Sequence, residues 1–467
     1  MKKNLSLLLS VIFLNTFNNS ATIIYVPNNY PTIQSGIGAS GNVDTVLVEP
    51  GTYFENINFH GKNIVLTSRF YLSLDTGFIC STIINGSQPA DPDTGSCIIL
   101  NSNEDSTTII QGFTITGGTG TKWLDTHGAG TYREGGGILT EFSSPTIRWN
   151  HLVNNIVKNT IGVASTGGGG IRCGDGSPHI YNNIIANNEA RYGGGIVINY
   201  CSDAEIKNNL IVHNSGGQSF GGGGLWATGV NTSTVLIVEN NTIANNHVSG
   251  FGSYGGQGGA IFVFSITLNT KNNIIWGNTQ NTGNSIIKYF GGVVNANNSD
   301  IDFFYNGTGN INTDPLFVDT SLFLLSSNSP CIDSGDSSTW FNDITSTPTI
   351  AEFPSQGTER NDMGVYGGPL ARIFPNCNLN STSVSDIDRT NQFSISPNPS
   401  SGNLFIHTIQ NELIQIEIFS TIGEIVLNQK TESNKPVALN DLPNGFYYLR
   451  ITSDKNKSII KNFIIHK

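Results

Sequence analysis

Hydrophobic residues in the middle of the chain come in short runs, and each run is bounded by asparagine or glycine. Blocks of consecutive glycines recur between these runs, and each block ends at an aliphatic residue. These five residues are Ile138, Ile171, Ile196, Leu225 and Ile261, spaced 33, 25, 29 and 36 residues apart. Short runs rich in β-branched residues and bounded by turn-forming residues predict β-strands separated by bends.

A second landmark, an apolar run flanked by asparagines, alternates with the glycine blocks. It reads NNIIANN from Asn182, NNLIVHN from Asn208, NNTIANN from Asn240 and NNIIWGN from Asn272, with a degenerate NHLVNN from Asn150. Asparagine tolerates the left-handed backbone of tight bends, and its amide can bond to an asparagine stacked on the next coil. A repeat of about 25 to 35 residues with such bends predicts a parallel β-helix.

Strand alternation predicts which way each residue after a glycine block points. The aliphatic landmark and the second residue after it share the inward face, so the first and third residues point outward. Residues at the same position on successive coils form a file. The first outward file is Leu139, Arg172, Val197, Trp226 and Phe262. The second outward file is Glu141, Gly174, Asn199, Thr228 and Phe264.

These outward files contain the candidate site residues except Asp175, which lies one step out of phase on the coil after Glu141. Arg172, Trp226 and Phe262 are candidate substrate-binding residues, because aromatic rings stack on sugars and arginine can hold a uronate carboxylate. Glu141, Arg172 and Asp175 are candidate catalytic residues, since sugar hydrolysis usually needs two carboxylates about 5 Å or about 6.5–9.5 Å apart. Two alternatives stay open: loops cover the aromatic residues as a second core, and the acids are solvated residues at loop ends.

The C-terminal segment, residues 393–467, has a different pattern. The asparagine and glycine landmarks are missing, and Ile414, Ile416 and Ile418 alternate with polar residues. This alternation, with an Asn-Gly turn before another strand, predicts a small antiparallel β-sandwich. Residues 373–392 are the expected linker from a β-helix over residues 22–372.

Composition and charge exclude one class of partner. The 467 residues include 34 Asp and Glu against 23 Lys and Arg, a formal net charge of -11, so no nucleic-acid partner is expected. Residues 1–21 pair Lys2 and Lys3 with an apolar stretch and a small-residue exit, the pattern of a cleavable signal peptide. No later stretch is long enough for a transmembrane segment in the mature chain.

Cysteine and glycine motifs predict no cofactor. Six cysteines allow 15 disulfide pairings, and Cys80 with Cys97, at the two ends of one insertion, is the first expectation. There is no CxxC motif, so no metal site is expected. A GxGxxG pattern at Gly250, Gly252 and Gly255 precedes another repeat strand and not the helix that a dinucleotide site requires.

Two parts of the chain resemble known families. GGGGIRCGDGSPHIYNNIIANNEARYGGGI and its neighbouring repeats resemble the right-handed parallel β-helix of the pectate-lyase-like superfamily, and GTYFE is also similar to pectin-esterase-like proteins. SISPNPSSGNLFI, IEIFSTIGEIV and LNDLPNGFYYLRIT resemble the C-terminal sorting domain of type IX secretion substrates. The second resemblance implies the type IX machinery as a partner and export to the exterior or outer surface of a Gram-negative cell through the periplasm.

Two functions follow from these observations. The first is a non-catalytic, secreted or cell-surface protein that binds extended polysaccharide or acts as an adhesin, since no acid, base or metal constellation emerges. The alternative, implied by the fold resemblance, is a polysaccharide lyase or glycoside hydrolase, and a lyase would make Ca²⁺ a candidate cofactor. The sequence does not decide whether the protein is an enzyme.

Overall fold

A computed structural model describes residues 21–217, 220–250, 256–347, 349–377, 394–396, 400–407, 413–420, 425–453, 458–465 and 467. The expected signal peptide and most of the expected linker lie outside these residues. The chain divides into two compact units, residues 1–379 and 380–467. Large parallel sheets make up the first unit and small antiparallel sheets the second, which confirms the all-β prediction.

Three parallel sheets form the body of the first unit. The first sheet contains Ile23–Val26, Thr45–Val48, Val65–Ser68, Ile109–Gln111, Thr146–Arg148, His179–Tyr181, Glu205–Lys207, Val235–Glu239, Thr267–Lys271 and Val293–Asn297. The second contains Gly51–Tyr53, Thr82–Asn85, Thr114–Thr116, His151–Val153, Ile184–Ala186, Leu210–Val212, Thr242–Ala244, Ile274–Trp276 and Asp300–Ile301. The third contains Ile57–Asn58, Ile98–Leu100, Ile138–Glu141, Ile171–Gly174, Ile196–Asn199, Leu225–Thr228, Ile261–Phe264 and Ile286–Tyr289. The chain visits the three sheets in turn on each coil, and this winding is a parallel β-helix.

Smaller elements flank the coils. Three short parallel strands, Ser215–Gly216, His247–Val248 and Thr279–Gln280, form a fourth side. A four-stranded lateral sheet contains Thr94–Gly95, Gly120–Leu124, Thr131–Glu134 and Thr166–Gly167, and its two central strands form an antiparallel hairpin. The remaining elements are the pair Thr345–Thr347 and Ile350–Ala351, the helices Ile33–Ala39, Phe70–Ser73 and Gly77–Ser81, and a 3₁₀ turn at Thr339–Phe341.

Asparagine ladders hold the corners on either side of the second sheet. Along each ladder, the side-chain Nδ2 of one asparagine donates to Oδ1 of the asparagine on the next coil, at 2.9–3.2 Å. The ladders are Asn150, Asn183, Asn209, Asn241 and Asn273, and Asn155, Asn188, Asn214, Asn246 and Asn278. These amides also bond to backbone carbonyls, so the polar groups of each bend are paired inside the coil. The predicted stacking of asparagines is confirmed.

The glycine blocks are structural corners. Gly193 has φ +54°, a left-handed conformation that strains other residues, and Cβ atoms at Gly194 or Gly195 would press on the carbonyls of the next coil. Backbone N–H groups of the block donate to those carbonyls, as Gly195 does to Gly223 at 3.0 Å. The glycines thus let successive coils approach, and their N–H groups are used by the fold.

One end and one side of the coil stack are covered. The helix Ile33–Ala39, capped by Thr32, packs Ile33 and Ile37 onto the first coil. The closing segment, residues 314–374, lies over the outer face of the second sheet, where Phe323 and Tyr366 pack on its aliphatic side chains. The middle strands of the second sheet are therefore buried on both faces.

The disulfide joins Cys80 to Cys377, not Cys80 to Cys97. Cys97 lies inside the coil stack, where its Sγ faces Asn155 and the carbonyl of Thr116. The expectation from the short insertion was wrong because the closing segment returns to the N-terminal coils, across 297 residues of sequence.

The second unit is a two-sheet sandwich. One sheet contains Ser394–Ser396, Asn403–His407 and Pro436–Ala438, and the other contains Leu413–Phe419, Ile425–Glu432, Gly445–Ser453 and Ser458–Ile465. All these strands pair antiparallel. Ile414, Ile416 and Ile418 point into the core between the sheets with Leu404 and Leu449, as their alternation predicted.

Candidate functional site

A cleft lies on the outward face of the third sheet, beneath the hairpin Gly120–Leu124/Thr131–Glu134. It encloses about 200 Å³. Its aromatic lining residues are Trp123, Tyr132, Tyr192, Tyr200, Phe220, Trp226 and Phe264, and its ionisable polar residues are Asp125, His127 and Glu134. We call this the aromatic cleft.

The predicted register of the third sheet places the candidate residues. Arg172 pairs with Val197, which pairs with Trp226, and Trp226 pairs with Phe262. Glu141 pairs with Gly174 on the neighbouring strand. Since the inward file packs in the coil core, the outward direction of both files follows as expected.

Arg172 lies under the cleft and not on its surface. Its side chain is fully buried, with Nε 3.0 Å from Glu134 Oε2 and Nη1 paired with Glu141 Oε2. The guanidinium carbon lies 4.2 Å from the centre of the Trp123 ring, which covers it as a cation–π partner. Arg172 is therefore paired with two protein carboxylates and covered by the hairpin, and the expectation that it holds a uronate carboxylate stays a prediction.

Two glycines make room for this buried cluster. A Cβ on Gly174 would collide with the Arg172 guanidinium and with Glu141 Oε2. A Cβ on Gly167 would collide with the ring of Tyr192, whose hydroxyl donates to Glu134 Oε1. Glu134 Oε2 also accepts from Trp123 Nε1 at 2.9 Å. Both oxygens of Glu134 are engaged, so this carboxylate is a positioning group.

The aromatic file divides between the cleft and the core. Trp226 is half-buried and lines the cleft, with its ring centre 5.1 Å from that of Tyr192. Phe262 is fully buried and stacks on Tyr289, with ring centres 5.4 Å apart. This burial favours the alternative that Phe262 belongs to a second core, and its role as a sugar-stacking residue stays a prediction. Phe264, two residues on, lines the cleft instead.

A histidine–aspartate pair stands at the mouth of the cleft. His127 Nε2 lies 3.0 Å from both carboxylate oxygens of Asp175, and the imidazole stacks on Tyr200 with ring centres 3.9 Å apart. Asp175 follows the strand Ile171–Gly174 in a left-handed turn, φ +51°. Of the three candidate catalytic residues, Glu141 and Arg172 meet in the buried cluster, while Asp175 faces His127 at the rim.

The hairpin residues were missed by the sequence reasoning. Trp123, Asp125, His127 and Glu134 belong to the insertion TKWLDTHGAGTYRE, which carries neither repeat landmark. The only available signal was the length of this interruption between two repeats, together with its aromatic and acidic residues. Among the described residues no group of three or more His, Cys, Asp or Glu side chains is arranged to hold a metal ion.

Comparison with known proteins identifies the second unit. Residues 394–466 match the family model described as a secretion system C-terminal sorting domain. This domain supports export by the type IX secretion system, to the cell surface or the extracellular space. A search of curated proteins finds no match to the chain. Among the described residues, no helix has the length and apolar character needed to cross a membrane.

Proposed function

We propose that this exported protein binds an extended polysaccharide through the aromatic cleft, and that this binding attaches it to glycan-coated surfaces. The observation that carries the proposal is the pair Trp226 and Phe264, which stand on neighbouring strands at the base of one cleft. Rings fixed on a sheet offer flat apolar faces to the C–H surface of sugars at little cost in side-chain entropy. A β-helix also presents its face as a long surface along which a polymer can lie.

Size and charge favour a neutral sugar in this cleft. A volume of about 200 Å³ is below the roughly 300–1,000 Å³ of pockets that enclose drug-sized ligands, so the cleft suits one ring of a longer chain. Its acidic residues are Asp125 and Glu134, and Arg172 is already paired with two carboxylates. An anionic sugar would meet repulsion here, whereas hydroxyl groups can donate to Asp125 or to the Asn199 side-chain oxygen.

The test is retention of the protein on a panel of immobilised polysaccharides. We expect retention on a neutral member, and at least about tenfold weaker affinity for Trp226→Ala, in line with the loss of one stacking contact and its buried area. Trp340→Ala is the matched control, because Trp340 is 73% exposed and lies outside the cleft. Equal loss in both variants, or retention only on acidic polymers, would contradict the proposal.

A polysaccharide lyase or hydrolase is the second candidate, and His127 with Asp175 favours it. A histidine oriented by a carboxylate at the mouth of a cleft has the geometry of a general base. The same panel should be assayed for unsaturated and reducing ends, with and without added Ca²⁺. Cleavage by wild type that His127→Gln abolishes while binding persists would establish the enzyme; binding without cleavage by wild type supports the first proposal.

We also propose the export route. The expected signal peptide, residues 1–21, would deliver the chain to the periplasm of a Gram-negative cell, and residues 393–467 would then engage the type IX machinery. A chain ending at residue 392 should accumulate in the periplasm, while the full chain reaches the surface or the medium. Equal surface delivery of both chains would contradict this route.

A further inference from the structure

A second pocket lies on the first sheet, away from the aromatic cleft. It encloses about 480 Å³, within the range of small-molecule sites. Arg148 and Arg372 line it with the rings of Phe70, Tyr71, Trp149 and Tyr181. We call it the arginine pocket. No Asp or Glu is among the described residues that line it, although the whole chain is acidic.

Arg148 is placed on the floor of this pocket by the sheet register. It pairs with Gln111 on one side and Tyr181 on the other, and all three point outward because their neighbours Ile110, Ile147 and Ile180 fill the coil core. Arg148 Nε donates to Gln111 Oε1 at 2.8 Å, which fixes the plane of the guanidinium. Its two terminal nitrogens remain available for a ligand, since no described residue forms an ion pair with them.

The absence of a carboxylate partner distinguishes Arg148 from the other cations on this sheet face. Farther along the same file, Lys207 lies 2.9 Å from Glu205, and Lys271 lies 2.7 Å from Asp336. Among the described residues Arg148 and Arg372 have no such partner, and Arg372 Nη1 donates only to the carbonyl of Ala371. Burial lowers the pKa of the half-buried Arg148, which agrees with a cation that lacks a compensating charge.

The walls of the pocket are aromatic and held in place. The Trp149 ring packs between Phe70 and Phe374, with ring centres 5.5 and 6.3 Å away. Residues 370–373 form the opposite wall, where Asn182 Nδ2 donates to the carbonyl of Leu370 at 2.8 Å. The disulfide between Cys80 and Cys377 ties this wall to the helix Gly77–Ser81. The pocket is thus preorganised from both sides.

We propose that the arginine pocket binds an acidic sugar residue, with its carboxylate or sulfate on Arg148 and Arg372 and its ring against the aromatic wall. A planar guanidinium offers two parallel N–H donors that match the oxygens of such a group. The exposed ring of Tyr71 and the half-buried edge of Trp149 offer apolar surface to the sugar ring. The protein would then have two glycan sites of opposite preference, a neutral one in the aromatic cleft and an acidic one here.

Calorimetric titration with three sugars of the same ring tests this proposal. The probes are glucose, glucuronate and glucose 6-sulfate, each at matched ionic strength, with sodium acetate and sodium sulfate as anions without a ring. We expect glucuronate or glucose 6-sulfate to bind, glucose to bind at least about tenfold more weakly, and the free anions to be weaker than their sugars. The acidic sugar with the higher affinity shows whether the pocket prefers a carboxylate or a sulfate. Equal binding of glucose, or acetate and sulfate equal to their sugars, would overturn the proposal.

Variants separate the arginine pocket from a general charge effect. Arg148→Gln should weaken binding of the acidic sugar at least about tenfold, and Arg148→Lys should weaken it less because the charge remains while the planar fork is lost. Lys158→Ala removes one positive charge outside the pocket and should leave binding unchanged. Full affinity of Arg148→Gln would overturn the proposal. Trp226→Ala should bind the acidic sugar normally, so failure of the cleft proposal and failure of this one are distinguishable.

A disulfide variant tests the contribution of the pocket wall formed by residues 370–373. Cys80→Ser/Cys377→Ser frees the segment that forms one wall, so it should weaken binding while the circular dichroism of the coils persists. Should that variant not fold, the comparison of Arg148→Gln with Arg148→Lys still decides the proposal, because lysine keeps the positive charge and glutamine does not. Unchanged affinity in a folded Cys80→Ser/Cys377→Ser protein would contradict the role of this wall.

Discussion

Arg172 and Glu141 stand on adjacent strands of the third sheet and form an ion pair that the hairpin above them seals from solvent. Glu134 reaches the same guanidinium from the hairpin, at 3.0 Å. The cluster therefore joins the hairpin to the coil, and it holds the floor of the aromatic cleft in one arrangement. Its role in the site is to position the lining residues.

Removing the cation of the buried cluster should strongly lower the free energy of unfolding. Arg172→Met leaves Glu134 and Glu141 buried without their cation, and we expect the free energy of unfolding to fall by about 3–5 kcal/mol. Arg69→Met is the matched control, because its pair with Glu49 is partly exposed and should be worth under about 1 kcal/mol. Urea denaturation measures both. A loss of under about 1 kcal/mol in Arg172→Met would contradict the account of this cluster.

The asparagine ladders should contribute comparably. Asn214→Ala removes donors to Asn246 Oδ1 and to the carbonyl of Ile185. It also removes the acceptor of the Asn188 backbone N–H and one of the two acceptors of Asn188 Nδ2. With unpaired buried groups costing about 1–3 kcal/mol each, we expect a loss of at least about 3 kcal/mol. Asn269→Ala, in an exposed side-chain pair with Asn295, should cost under about 1 kcal/mol in the same urea experiment. Equal losses of unfolding free energy in the two variants would show that the asparagine ladders add no stability beyond that of an exposed pair.

The stability that two buried carboxyl groups contribute should decline as pH rises from about 4 to about 8. Burial, then the neighbouring carboxylate of Asp362, raises the pKa of Asp343 to about 8, and burial raises that of Asp362 to about 7. A raised carboxyl pKa means that the native state holds protons that the unfolded state has released, so this stability is lost from about pH 4 to pH 8. Thermal unfolding should give a lower Tm at pH 8.5 than at pH 6.5, and Asp343→Asn should reduce the difference. A Tm that rises over this interval in wild type would contradict the prediction.

A buried histidine should act in the opposite direction at acid pH. Burial lowers the pKa of His151 to about 4, and neither ring nitrogen has a hydrogen-bond partner among the described residues. A depressed pKa gives stability that is present above about pH 6.5 and is lost as pH falls toward 4. His151→Leu should make the protein more stable at pH 4.5 than wild type, by a larger margin than at pH 7. Equal margins at the two pH values would show that His151 does not titrate in this way.

Thiol labelling should separate the six cysteines. Cys97, Cys173, Cys201 and Cys331 are buried as free thiols, and burial raises the pKa of Cys97 and Cys173 to about 12. We expect no labelling in the native state, four labels after denaturation and six after denaturation with reductant, as measured by mass spectrometry. A disulfide-linked peptide that contains Cys97 would contradict the Cys80–Cys377 connection.

The repeat made much of the β-helix predictable from the sequence. Because each coil carries the same glycine and asparagine landmarks, the register from Glu141 to Phe264 and the outward direction of Trp226 follow from counting. The repeat did not predict that a hairpin covers this face, because the hairpin residues Trp123 and Glu134 lie in an insertion without landmarks. Arg172 and Phe262 point outward as counted, but they are buried by segments whose position only the tertiary structure fixes.

The arginine pocket was equally hidden in the sequence. Arg148 and Arg372 are more than two hundred residues apart, and the return of the closing segment brings both to one pocket. No local pattern marks such a meeting, just as none marked the link between Cys80 and Cys377. The repeat therefore could not predict contacts between the closing segment and coils far away in the sequence.

The most direct measurement of glycan binding in the aromatic cleft is a crystal structure of the protein with a neutral oligosaccharide that the polysaccharide panel selects. The account predicts electron density for one sugar ring against Trp226 and Phe264, with hydroxyl groups toward Asp125 or Asn199. An oligosaccharide bound elsewhere on the chain, with the cleft empty at saturating concentration, would contradict it.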